Sequence, residues 1–231
     1  MRLDKYLCDC NIASRSELKK YIKARLVSVN DTIITDPGYH VTESDVVSFN
    51  GQIVDYNEYV YLIMNKPAGV VTAREDKYDK TVMDIITEKY KNLSPVGRLD
   101  KDTEGLILLT NDGKLNHNML SPSKHVDKSY YIKLINSISD DDIRLLENGV
   151  DINDDKLTLP AKCERISEDE IILTIHEGRF HQVKRMAEAV HNKVSYLKRL
   201  SFGPLFLPDE LKIGEYRLLN KAEYELIKEY K

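Results

Sequence analysis

Gly97-Arg98-Leu99-Asp100-Lys101-Asp102-Thr103-Glu104-Gly105-Leu106-Ile107-Leu108-Leu109-Thr110-Asn111-Asp112-Gly113 is the densest stretch of the chain. Its first half is polar, with three carboxylates in five residues, and reads as a surface loop. Its second half is an apolar run closed by Asn-Asp-Gly, which predicts a buried strand, Leu106 to Thr110, ending in a turn. Taken alone, Asp100 is a turn residue. The functional alternative is that Asp100 with Asp102 or Glu104 forms the acid and nucleophile of a glycosidase. Carboxylates so close in sequence rarely face each other across a sugar ring, which disfavours that pairing.

Outward from this stretch the chain alternates strands and helices without a regular βαβ rhythm. Val60 to Met64 predicts a buried strand broken by Lys66-Pro67-Ala68-Gly69, and Thr81 to Lys89 a helix. Lys128 to Ile135 predicts a strand, Ser139 with Asp142 a helix start, and Lys162–Ile166 and Ile171–Ile175 two further strands. His181 to His191 carries the helical stripe Val183, Met186, Ala187 and Val190. Such an inventory suits an α+β domain with a mixed, largely antiparallel sheet and flanking helices. There is no P-loop, dinucleotide fingerprint, HExxH or Gly-x-Ser-x-Gly elbow, so chemistry dependent on ATP, NAD or zinc is disfavoured. We therefore expect no metal and no cofactor.

The first fifty residues are organised differently. Leu3, Tyr6 and Leu7 predict a short amphipathic helix; Ser14 and Glu17 form a capping box ahead of a second, with stripe Leu18, Tyr21 and Ile22. Arg15, Lys19 and Lys23, four apart, line one flank as a basic ridge. Short strands follow at Val27-Ser28-Val29, Ile33-Ile34 and Val46 to Phe49, the last ending at the turn signal Asn50-Gly51. The segment resembles the S4-type RNA-binding domain in Arg2-Leu3-Asp4-Lys5, Ser14-Arg15-Ser16-Glu17, Val27-Ser28-Val29-Asn30 and Val41 through Val47. Where that pattern usually carries glycines, this chain has Arg25 and Asp31. The polar stretch 50–59 reads as a connection, which sets the domains at 1–55 and 56–231.

The composition first argues against a nucleic-acid partner: 231 residues carry 34 Lys and Arg against 38 Asp and Glu, a net charge of −4. That sum hides its parts. Residues 1–25 carry a local +4 and residues 179–199 a local +5, against runs of acid at 26–60 and 140–155 expected to face solvent or other partners. Polyanion binding needs a concentrated patch, not a basic average. No apolar run approaches the roughly 20 residues that span a bilayer, and the N-terminus lacks a signal-peptide core, so a cytoplasmic protein without a membrane partner is expected.

Arg98-Leu99-Asp100-x-x-Thr103-x-Gly105-Leu106 followed by Leu109-Thr110-Asn111-Asp112-Gly113 resembles the signature loop of the pseudouridine synthases. More narrowly it is similar to the RsuA branch, which modifies ribosomal RNA and carries an S4-type domain. Further matches, in the family's order, are Asn65-Lys66-Pro67-x-Gly69, Lys128-x-Tyr130, Glu177-Gly178-Arg179-Phe180-His181-Gln182-Val183-Lys184-Arg185-Met186, Phe202-Gly203-Pro204-Leu205 and Gly214-Glu215-Tyr216-Arg217.

The resemblance implies isomerisation of uridine to pseudouridine, with Asp100 as the essential carboxylate. It implies Arg179 as the cation that pairs with Asp100, and Tyr130 as the ring that stacks on a flipped base. Tyr131, next along a strand, would point to the opposite face. Arg2, Arg15, Lys19, Lys23, Arg98, Lys128, Lys184 and Arg185 are expected to contact RNA phosphates or support the site. The expected substrate is 16S rRNA or a small-subunit assembly intermediate, bound by a monomer. Relatives of the same architecture act on 23S rRNA, and a non-catalytic ribosome-assembly factor is the reading from a different class.

Overall fold

The computed structural model describes every residue except Asn11, Glu43, Asp55, Asn57, Glu58, Lys89 and Lys231. Its contacts divide the chain into two units, Met1–Val60 with Glu88–Asn92, and Tyr61–Thr87 with Leu93–Lys231. The expected boundary at Asp55 lies outside the described residues.

The first unit opens with α1 (Leu3–Asp9) and α2 (Arg15–Lys23). The capping box at the start of α2 is formed: the Glu17 amide donates to Ser14 Oγ, and the Ser14 amide donates to Glu17 Oε2 at 3.0 Å. Four short strands follow, β1 (Val27–Val29), β2 (Thr32–Ile33), β3 (Val47–Phe49) and β4 (Gln52–Ile53), in the order β2-β1-β3-β4. Leu3, Leu7, Leu18, Ile22, Val27, Val29, Val41 and Val47 form the core beneath them. The connection expected over 50–59 therefore starts too early. Asn50 and Gly51, with φ of 49° and 76°, make a tight hairpin turn, and Gln52–Ile53 pairs back on β3. Arg25 and Asp31 adopt φ of 63° and 61°, the left-handed conformation for which glycine is the easier residue.

The second unit is built on a nine-stranded sheet whose main path runs β13-β5-β7-β11-β8-β10-β9. Its strands are β5 (Tyr61–Lys66), β6 (Ser94–Val96), β7 (Glu104–Thr110), β8 (Lys128–Leu134), β9 (Lys162–Arg165), β10 (Glu170–Ile175), β11 (Val194–Phe202), β12 (Leu205–Phe206) and β13 (Tyr216–Leu218). Each pairing is antiparallel except β7 with β11, which run parallel at the sheet's centre. The helices are α3 (Gly113–Leu120), α4 (Asp140–Asn148), α5 (Gln182–Ala189) and α6 (Lys221–Ile227). As expected of an amphipathic helix, α5 buries Val183, Met186 and Ala187, and Val190 at its C-cap is buried too.

The helix expected over 81–89 is reduced to one tight turn, Val82–Asp84. Thr81 and Asp84 do form a capping box, but Ile85, Ile86 and Thr87 are β-branched and propagate a helix poorly. Thr87 instead donates its amide to the Tyr216 hydroxyl at 2.9 Å. Lys89 lies outside the described residues. Among the described residues no helix is long and apolar enough to cross a membrane.

Candidate active site

Asp100 lies in the turn that leads into β7, and that turn is held from three sides. Leu99 is buried, and its amide and carbonyl both bond Thr72 Oγ1, at 3.1 and 2.9 Å. The Thr103 amide donates to the Asp100 carbonyl at 3.1 Å. From below, the fully buried Lys66 ammonium donates to the carbonyls of Thr103 at 2.8 Å, Pro67 at 3.0 Å and Lys101 at 3.4 Å. The Gly69 amide donates to the Lys101 carbonyl at 2.7 Å. The Lys-Pro-Ala-Gly segment is thus a bracket for the aspartate turn. Burial pushes the Lys66 ammonium down to about 8, against the attraction of Asp102, Glu104 and Asp100.

The cation on Asp100 is Lys184. Its Nζ stands 3.1 Å from Asp100 Oδ2 and donates to both carboxylate oxygens of Asp102, at 2.6 and 2.9 Å. Burial works against the Lys184 charge, but the hydrogen bonds to the two aspartates outweigh it and raise its pKa. The same hydrogen bond lowers the pKa of Asp102. His181 Nε2 lies 3.6 Å from Asp100 Oδ1. His181 is the N-cap of α5 and adopts a left-handed φ of 48°, so His181 and Lys184, one helical turn apart, face the same carboxylate.

Arg179 does not pair with Asp100, contrary to the expectation from the sequence. Its Nε donates to Glu177 Oε2 at 2.9 Å, and its two amino groups donate to the carbonyls of Lys156 and Leu157 at 2.7 and 2.8 Å. Glu177 also accepts from Gln182 Nε2 at 2.9 Å, and Gln182 Oε1 accepts from the Arg179 amide at 3.0 Å. Arg179 therefore locks the turn that presents His181 and Lys184. Arg179 lies ahead of the left-handed residue His181 and is turned to the carbonyls of Lys156 and Leu157, whereas Lys184 rides on α5. The spacing His181 to Lys184 on one helix face was the signal in the sequence that could have found the pair.

Tyr130 is buried in β8, opposite Leu173 of β10 and Arg199 of β11. Tyr131 points to the other face, as alternation requires, where its ring meets Tyr196 edge-on at 6.1 Å. Glu104 accepts from the Tyr196 hydroxyl at 2.6 Å, and Asp102 is taken by Lys184, so neither is left as a second acid for a glycosidase pair. Phe180, 74% exposed, stacks on His181 with ring centroids 3.8 Å apart.

Several residues expected on RNA are engaged elsewhere. Arg185 is tied to Asp154 and to the Ile152 carbonyl, so part of the acidic run 140–155 neutralises the basic segment instead of facing solvent. The Lys128 ammonium donates to the Val126 carbonyl at 2.7 Å and lies over the Phe202 ring, and burial, with the nearby Arg199 charge, pushes it down to about 8. Arg2 bonds the buried carboxylate of Asp4 at 2.9 Å. Arg98 is exposed, and so are Arg15, Lys19 and Lys23 on α2; none of the four has an ion-pair partner among the described residues. Among the described residues no three His, Cys, Asp or Glu side chains gather as a metal site.

A carboxylate with an ammonium beside it, on a turn braced from behind by a buried lysine, is equipped for nucleophilic or base chemistry by the side chain itself. Comparison with known proteins agrees with that geometry. The family described as RNA pseudouridylate synthase matches residues 60–189, and the S4 domain matches residues 1–47. An uncharacterized RNA pseudouridine synthase of Bacillus subtilis, YtzG, is 48% identical, with 99% of each chain covered. Ribosomal small subunit pseudouridine synthase A of Vibrio cholerae is 39% identical over 96% of this chain and 97% of its own. Ribosomal large subunit pseudouridine synthase B of Bacillus subtilis is 38% identical over 98% of this chain and 95% of its own. A crystal structure of a pseudouridylate synthase superposes with a TM-score of 0.70 at 34% identity, covering 98% of this chain and 99% of the other. The chain so built, with its aspartate turn at the head of a central strand and an S4 domain before it, belongs to the pseudouridine synthase family.

Proposed function

We propose that this protein converts one uridine of 16S rRNA to pseudouridine, in the cytoplasm, with Asp100 as the reacting carboxylate. In that reaction the bond from uracil N1 to the ribose breaks, the base turns, and carbon 5 bonds to the ribose. The proton on carbon 5 is lost and N1 gains one, so the product is an isomer and nothing is oxidised or reduced. The observation that carries the reading is the Asp100 carboxylate on its braced turn with the Lys184 ammonium 3.1 Å away, a side chain fixed in place for nucleophilic or base chemistry. Tyr130 serves as the face on which the extruded base rests, its stacking offsetting the few kcal/mol that unstacking costs. The S4 domain supplies phosphate contacts through the exposed ridge Arg15, Lys19 and Lys23.

The choice of 16S rRNA rests on the relatives named for the small subunit, at 39 to 40% identity. The relative named for the large subunit, at 38%, supports a second reading with 23S rRNA as substrate. Release of tritium from carbon-5-labelled 16S and 23S rRNA, each naked and with ribosomal proteins bound, separates them. Release from 16S alone is expected, and release from 23S alone would overturn the assignment. Asp100→Asn is expected to abolish release while RNA binding survives. Full activity in that variant would remove Asp100 from the chemistry, and binding without release by the wild type on all four substrates would favour a non-catalytic assembly factor.

A further inference from the structure

Arg199 is 2% exposed and lies in the middle of β11, with Gly105 of β7 opposite it on one side and Tyr130 of β8 on the other. Its guanidinium has no carboxylate within ion-pair distance among the described residues, and its buried Nη2 has no hydrogen-bond partner among them. A buried charge so placed is costly, and an apolar side chain of similar volume would pack there with less penalty. Stability therefore does not account for it. Its contacts point elsewhere. Nε donates to the Leu106 carbonyl of β7 at 2.7 Å and the guanidinium lies 5.0 Å from the Phe202 ring centre; burial lowers the Arg199 pKa, and Tyr130, its cross-strand neighbour, works against that.

We propose that Arg199 is a positioning residue for the isomerisation: one guanidinium ties the strand that follows Asp100 to the hydroxyl of Tyr130, and so sets how both groups meet the same uridine. The proposal rests on the reading that places Tyr130 against the base. A guanidinium only donates, so in such a pair the Tyr130 hydroxyl would be the acceptor. Lysine keeps the charge but lacks the planar fork that reaches both strands. The Nη2 group left without a partner adds nothing to the fold, as expected of a group retained for geometry.

A double-mutant cycle on the full chain tests this, with tritium release from the rRNA that the wild type turns over and melting curves run on every variant. Arg199→Met is expected to lower kcat about 100-fold, the scale of a misplaced reacting group, with KM within about twofold. Tyr130→Phe, which keeps the ring, is expected to be slow by itself, and adding Arg199→Met to it to slow it by no more than about threefold. Arg199→Lys is expected to recover part of the loss. Multiplying effects in the double variant, or an unimpaired Arg199→Met, would overturn the proposal. Wild-type activity in Tyr130→Phe would overturn the placement of Tyr130 instead. Should Arg199→Met melt below the assay temperature, the cycle is run with Arg199→Lys, where multiplying effects overturn the proposal equally.

Discussion

Gly105→Ala probes the point where β7 and β11 approach most closely. An added Cβ would sit 2.3 Å from the Arg199 carbonyl oxygen and 2.6 Å from its amide nitrogen, both main-chain atoms that no rotamer change can move. Gly105 also has φ of 105°, a conformation that L side chains rarely adopt. Restoring an ordinary contact requires the strands to part by about 1 Å, and their parallel pairing is only Lys198 with Glu104 and Arg199 with Gly105. Backbone strain of about 1–2 kcal/mol and overpacking of about 1–3 kcal/mol together give a loss of about 2–5 kcal/mol. For a unit of this size that lowers the melting temperature by about 4–20 °C. Because Asp100 stands five residues before the clash, kcat should fall about 100-fold below the new melting point, as expected of a reacting group moved by 1 Å. Gly69→Ala is the control: φ is 82° but nothing lies within 4 Å of the new Cβ, so it carries strain without a clash. Calorimetry and tritium release on both variants decide the matter. A Gly105→Ala protein that melts and turns over like Gly69→Ala would refute the idea that close strand approach sets the aspartate turn.

Lys184→Met should lower kcat about 100-fold, the scale of losing one charged donor at a reacting group, and Lys184→Arg should recover much of it. Arg179→Met should act chiefly on stability, costing about 1–3 kcal/mol by removing the donor to Glu177 Oε2 and to two carbonyls; the reverse pattern in steady-state kinetics and melting would return Arg179 to the role that the sequence suggested. Lys66 predicts a pH effect. Its ammonium titrates at about 8 when folded, against 10.5 for an ordinary lysine. The unfolded chain therefore holds more protons between those values, and stability should rise through that window by about 3 kcal/mol. Urea denaturation at pH 7.5, 9 and 10.5 should show that rise in the wild type and its loss in Lys66→Met, with Lys128 leaving a similar contribution in both; parallel curves would contradict it. Charge reversal at Arg15, Lys19 and Lys23 should weaken RNA binding and flatten the plot of log affinity against log salt by about 0.7–0.9 for each phosphate that the ridge no longer neutralises. An unchanged slope would mean that the ridge docks on protein instead.

The elements were legible wherever a local rule acts alone. The capping boxes at Ser14 and Ser139, the stripe of α5 and the Asn50-Gly51 turn each depend on residues within a few positions of one another. The expected helix over 81–89 fails because a capping box at its start does not outweigh the β-branched residues that follow. The expected linker hid β4, because two residues of exposed strand carry no periodicity. The surface turn that holds Asp100 and the strand that holds Tyr130 were legible around their motifs. Which cation meets Asp100 was not, since Arg179 and Lys184 lie in one motif and differ only in the turn that each rides on.

By itself the sequence determined the kind of protein: two domains, their order, and an aspartate loop opening an apolar strand. Those follow from residue types and short spacings, which the chain carries wherever it folds. The tertiary structure alone decided the partners. It gave Asp100 to Lys184, turned Arg185 inward on Asp154 and the Ile152 carbonyl, and placed the fully buried Arg199 between the strand after Asp100 and the one bearing Tyr130. Charge pairing depends on distances of a few ångströms, and residues 30 to 90 positions apart in the chain acquire such distances only when the sheet closes.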